Sequence, residues 1–163
     1  MAEDKLGAFG YDEAVRNISD QASVLEALRG RAGTLLSTAA LATSFLGGLT
    51  LVAPAISEAG VFRGARIGGW AWAAIIAFGV IAVLTFSILW PWTWRFTMDP
   101  VFFVTEAKAR GLDVDELKWQ LAEYHEQNWA SNDNRLKWLY RAFQVGIIVL
   151  VAEIVFWVLD LRR

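Results

Sequence analysis

The chain has 163 residues and a mass of 18.2 kDa, the size of one ordinary domain. Hydrophobic residues make up 56%, charged residues only 20%, and mean hydropathy is +0.38, more apolar surface than a soluble domain of this length can bury. Lys and Arg number 15 against 17 Asp and Glu, for a net charge of −2, and cysteine is absent. That excludes a broadly basic nucleic-acid binder, a disulfide scaffold, a thiolate metal site and a cysteine nucleophile.

The chain opens on Met-Ala-Glu-Asp-Lys-Leu-Gly, and its first 31 residues are mixed and charged. A secretory signal places a basic start before an apolar core within this length, so the first apolar run is expected to be retained. Residues 1–11 are read as a flexible N-terminus. From Asp12 to Arg31 there is no proline, and Val15, Ile18, Ala22, Leu25 and Leu28 recur at spacings of three and four. One helix with an apolar face is expected to run from here into the first span.

That span covers about Ala32 to Ala53, contains no charge and is closed by Pro54. About 20 residues cross a hydrocarbon core at 1.5 Å each. A short external loop follows at 55–66. The second span, 67–91, runs from about Ile67 to Trp90 and is closed by Pro91. Trp70 and Trp72 stand at one end and Trp90, Trp92 and Trp94 at the other, the placement of an aromatic belt at each interface.

Residues 92–141 read as a loop carrying amphipathic helices. Asp99-Pro100 reads as a turn. Asp113-Val-Asp-Glu116 reads as a helix start, with Asp113 as cap and Glu116 three residues on. Leu117, Leu121, Tyr124 and Asn128 fall on one face of that helix. Ser131-Asn-Asp-Asn134 breaks or weakens it, and Arg135 to Arg141 leads into a third span at about Ala142 to Leu161, followed by a short tail to residue 163. The fold class is therefore an all-α integral membrane protein, three transmembrane helices with long cytoplasmic helical extensions.

Lys5, Arg16, Arg29 and Arg31 precede the first span, and Arg95, Lys108, Arg110, Lys118, Arg135, Lys137 and Arg141 lie between the second and third. Only Arg63, Arg66, Arg162 and Arg163 fall on the other side. Cationic loops stay in the cytoplasm, so the N-terminus and the long middle loop are assigned there.

Three constellations stand out. Ala40, Ser44 and Gly48 fall at intervals of four on the first span, beside a row of Ala39, Thr43 and Gly47, and Gly69, Ala73 and Ala77 repeat the spacing on the second. Small residues let helix backbones approach closely in lipid, either within one chain or between copies. Glu153 lies near the middle of the third span, where a charge costs at least ~2.5–3.5 kcal/mol on insertion scales. It faces the bundle or water, or carries a proton. Its role is pore lining, proton handling or gating, or else a helix–helix hydrogen bond to Ser37, Thr38, Thr43 or Ser44. His125, the sole histidine, is flanked by Glu123 and Glu126 and reads as a surface residue. No metal site, cofactor loop or catalytic set can be assembled, so no enzyme is expected.

The segment Ala27-Leu-Arg-Gly-Arg-Ala-Gly-Thr-Leu-Leu-Ser-Thr-Ala-Ala40 resembles the approach to the first membrane helix of the PycTM group, transmembrane effectors of Pycsar antiphage systems, related in style to SLATT-domain proteins. The exit Leu89-Trp-Pro91 and the run Asn132-Asp-Asn-Arg-Leu-Lys-Trp-Leu139 into Phe143 extend the resemblance, which covers the chain from about Asp12 onward. The Trp-rich second exit and the acidic helix of the middle loop depart from the pattern. The resemblance implies a bacterial inner-membrane homo-oligomer that damages its own membrane after a cyclic pyrimidine nucleotide signal. Arg29, Arg31, Arg135, Lys137 and Arg141 are candidate contacts for a nucleotide phosphate or for anionic lipid, with lipid favoured. The alternative is a non-enzymatic scaffold or accessory subunit that recruits a partner through its cytoplasmic helices. A small transporter is disfavoured because the three spans show no broken helices.

Overall fold

A computed structural model describes residues 3–57, 68–94 and 100–162. The expected loop at 55–66 lies outside these after Ser57, as do Arg63, Arg66, Arg95, Asp99 and Arg163. All secondary structure among the described residues is helical: α1 (Glu3–Ser57), α2 (Gly69–Leu89), α3 (Pro100–Arg110) and α4 (Val114–Leu161). Three of the four are long and apolar enough to cross a membrane, in the stretches Phe9–Thr50, Gly69–Leu89 and Val114–Leu161.

Several boundaries differ from the sequence expectation. Helix α1 begins at Glu3, ahead of the expected start at Asp12, and runs on to Ser57, past Pro54. Pro100 is the first residue of α3, a position where its missing N–H is not needed. The same helix ends on Gly111, whose φ of 66° is left-handed. There Gly111 N donates to Lys108 O at 3.3 Å and Leu112 N to Ala107 O at 3.0 Å, the paired bonds of a Schellman ending. Asp113 starts α4 as expected, accepting from Val114 N at 2.7 Å through its carboxylate and from Leu117 N at 3.0 Å through its carbonyl. The polar run 131–134 does not interrupt α4.

The contacts divide into two compact units, Met1–Ala27 with Pro91–Trp138, and Leu28–Trp90 with Leu139–Arg163. In the first unit, Ile18, Gln21 and Leu25 of α1 are buried, as are Ala107 of α3 and His125, Asn128 and Asn132 of α4. Val15, expected on the inner face, is 40% exposed, and Gln21 takes an inward place instead. Inward positions at intervals of three and four follow the coiled-coil spacing of two helices packed lengthwise. Gln21 Nε2 donates to Trp129 O at 3.1 Å, and the Tyr11 and His125 rings lie 6.1 Å apart. The outward positions include the charged Asp12, Arg16, Asp20 and Glu26.

The second unit is a three-helix bundle. Helix α1 contributes Leu28, Ala32, Leu35 and Ala39, α2 contributes Ala71, Ala74, Ala77, Ile81, Thr85 and Ile88, and α4 contributes Leu139, Ala142, Glu153 and Trp157. Leu35, Ala39 and Ile81 form one apolar cluster with Phe78, Phe143 and Val149 around it, and Ala71, Ala74 and Trp157 form another. Leu35 meets Gly146 and Gly47 meets Trp157, so within this unit α1 and α4 run parallel. Both contacts are tight: a Cβ on Gly146 would stand 2.8 Å from Cδ2 at the end of the Leu35 side chain, and one on Gly47 would stand 3.0 Å from Trp157 Cη2. The outward face is also apolar, with Ile76, Val83, Ile148 and Val151 exposed. Apolar inside and outside is the pattern of a bundle whose solvent is hydrocarbon, where close packing rather than the hydrophobic effect joins the helices.

Candidate functional site

The second unit holds a polar pair in its apolar interior. Glu153 is fully buried, and its Oε1 accepts a hydrogen bond from Thr43 Oγ1 at 2.5 Å. Trp157 Nε1 donates in turn to Thr43 Oγ1 at 3.4 Å. Of the four hydroxyls expected as partners for this carboxylate, Thr43 is the one that reaches it. Thr34, Ser37 and Thr38 turn outward and donate to Gly30 O, Gly33 O and Thr34 O, which satisfies them without a partner helix. Glu153 Oε2 has no hydrogen-bond partner, and neither has the hydroxyl of the fully buried Thr85. A buried carboxylate with one unfilled oxygen is chemically suited to hold a proton or a small cation.

A second carboxylate in this unit escaped the sequence reading. Asp160, in the last turn of α4, accepts from Ala71 N at 3.2 Å with Oδ1. Helix α2 has no cap of its own, since Gly68 precedes it and its first turn carries no acid. Asp160 supplies both the missing acceptor and a negative charge at the positive end of α2. It stands so close that a Cβ on Gly68 would fall 2.1 Å from Asp160 Oδ1. The available signal was a paired oddity: an uncapped helix start, and an acid in a helix's last turn, where the dipole disfavours it.

The small-residue row expected at Ala40, Ser44 and Gly48 is not the packing face of α1. Ser44 is exposed, Ala40 and Gly48 are half-buried, and a Cβ on Gly48 would meet nothing within 4 Å. The neighbouring row of Ala39, Thr43 and Gly47 turns inward instead. On α2, Gly69 is exposed with open space around it, Ala73 is half-buried, and Ala77 is buried.

The basic candidates divide between the units, Arg29, Arg31 and Arg141 in the second and Arg135 and Lys137 in the first. Arg135 donates to Thr93 O at 2.8 Å, and Lys137 pairs with Asp133 at 2.6 Å. Arg31 and Arg141 are exposed, and Arg29 is half-buried with its Nε unpartnered.

His125 is not a surface residue: it is 7% exposed, packed between the rings of Tyr11 and Tyr124. Burial holds its pKa below the ordinary histidine value of 6.5. It lines a groove of about 640 Å³ in the first unit, together with Glu13, Glu123, Glu126, Trp119 and Trp129.

No protein-family model, curated protein or solved structure matches this chain.

Proposed function

We propose that this chain is a bacterial inner-membrane effector that self-associates and permeabilises the bilayer. The observation that carries the reading is the row Ala40, Ser44 and Gly48, small residues on an apolar helix that the bundle leaves off its packing face and partly open. Lipid gives helices no hydrophobic reason to meet, and small residues are what let neighbouring backbones approach. One bundle is packed solid around Leu35, Ala39 and Ile81, so a passage requires several copies. Copies joined along this row would gather the exposed hydroxyls of Thr34, Ser37 and Thr38, and Glu153 would be the ionisable group behind that face. The Lys and Arg asymmetry supports a cytoplasmic N-terminus. The antiphage setting and a cyclic pyrimidine nucleotide trigger rest on the resemblance to PycTM effectors. Arg29, Arg31, Arg135, Lys137 and Arg141 would meet phosphate there, of anionic lipid before nucleotide.

A membrane-potential dye in induced cells, paired with dye release from vesicles holding the purified chain, tests this reading. Depolarisation and release that a Ser44→Leu, Gly48→Leu variant loses would support it. Polarised cells and sealed vesicles, with every cyclic pyrimidine nucleotide added, would overturn it. Inert vesicles would leave standing the alternative, a non-enzymatic scaffold that recruits a partner through its helices outside the bilayer.

A further inference from the structure

The groove of the first unit is neither explained by the packing of its helices nor used by the proposed membrane activity. Its volume, about 640 Å³, falls in the range of small-molecule sites rather than of a cleft for a folded partner. Glu13 contributes from α1, and Glu123 and Glu126 from α4, all three exposed and none in an ion pair among the described residues. Among the described residues no lysine or arginine lines the groove. The local charge repels phosphates and selects cations.

Two further observations narrow the class of cation. The indoles of Trp119 and Trp129 remain 61% and 40% exposed beside the acids, a costly surface to leave in water unless something covers it. Indole faces attract alkylammonium groups and accept methylene stems against their apolar area. His125 is more than nine-tenths buried, lines the groove, and has a ring nitrogen, Nδ1, without a partner. That nitrogen is itself buried, so a ligand ammonium reaches it only as the ring or the groove wall shifts. Among the described residues no three acidic or histidine side chains converge to hold a metal ion, so the negative charge is spread along the groove rather than focused on a point.

We propose that this groove binds an aliphatic polyamine, a flexible polycation of the spermidine class. Its separated ammonium groups match three separated carboxylates, and its methylene segments lie against the two indoles. Glu123 and Glu126 sit three residues apart on α4 and face the same side, with Trp119 one turn before. Glu13 closes the opposite wall from α1.

The test is calorimetric titration of the full chain, in nanodiscs of zwitterionic lipid, with spermidine at low salt. Saturable binding near one molecule per chain is expected. A Glu123→Gln, Glu126→Gln variant with an unchanged melting temperature should bind at least about tenfold more weakly. Glu13→Gln and Trp119→Ala should each weaken binding on their own. Absence of saturable heat at millimolar spermidine would overturn the proposal, as would equal affinity in the Gln variants. Displacement of spermidine by magnesium in proportion to ionic strength alone would reduce the groove to a diffuse acidic surface and also overturn it. Binding of a lysine-rich peptide without binding of spermidine would assign the groove to a protein partner instead. The readout is binding alone, so its failure is distinct from failure of the membrane activity.

Discussion

Thr43 Oγ1 of α1 donates to Glu153 Oε1 of α4 across 2.5 Å, inside a bundle whose other buried positions are almost all apolar. The pair joins the two parallel helices at the one place where an unmade hydrogen bond would be most expensive. Removing the hydroxyl while keeping its shape should therefore destabilise the second unit. Thr43→Val is expected to cost about 1–3 kcal/mol, and Thr43→Ser to recover most of it. In a Glu153→Leu background the same Thr43→Val change should cost less, because only the long bond from Trp157 Nε1 remains to be lost. Thermal melts of the four proteins in one detergent read the coupling, and equal costs in both backgrounds would mean the bond carries no energy.

Glu153→Leu by itself separates structure from activity. If the carboxylate serves the passage of ions, the variant assembles to its normal size and no longer releases dye from vesicles. A variant that assembles and leaks as the parent does would reduce Glu153 to a partner for Thr43.

The approach of Asp160 to Gly68 predicts an asymmetric double-mutant cycle. Gly68→Ala places a methyl 2.1 Å from a carboxylate oxygen and should cost about 1–3 kcal/mol through forced displacement. Asp160→Ala removes a cap and should cost about 0.5–2 kcal/mol. Combined, the two should cost clearly less than their sum, since the methyl then occupies the vacated space. Additive losses in melting experiments would show that the two residues do not meet.

His125 predicts a pH dependence for the first unit. Burial lowers its pKa in the folded chain, so the unfolded chain binds the proton more readily. Stability is then unaffected above the ordinary value of about 6.5, falls as pH drops through it, and levels off below the lowered native value. Urea melts between about pH 5 and pH 8 should show this slope, and His125→Gln should flatten it.

The elements and the site were legible to different degrees, for physical reasons. Apolar runs long enough for a bilayer identify α2 and the inner stretches of α1 and α4 without help from tertiary contacts, because span length is set by the solvent. Asp113 was readable as a cap because its partners are the next few residues of its own helix. Phase was not readable in the same way. Ala39, Thr43 and Gly47 turn inward while Ala40, Ser44 and Gly48 do not, and both rows repeat at the same interval. Only the positions of Gly146, Glu153 and Trp157 on a distant helix decide between them. His125 was misplaced, and Gln21 passed over, for a related reason: a polar side chain is expected outside unless a partner is known, and their partners, the Tyr11 ring and Trp129 O, lie more than a hundred positions away. Asp160 was invisible for as long as α2 and α4 were read separately.

That last contact also bears on how the chain is made. Ala71 and Asp160 are 89 positions apart, so the carboxylate leaves the ribosome well after the amide it accepts from. Helix α2 is synthesised long before the group that caps its first turn exists. Its start must wait in a provisional state, with its first amides held by water or headgroups, until α4 arrives beside it. A chain truncated before Asp160 would carry all the apolar residues of α2 and yet lack its cap, so completion of the second helix waits on the insertion of α4.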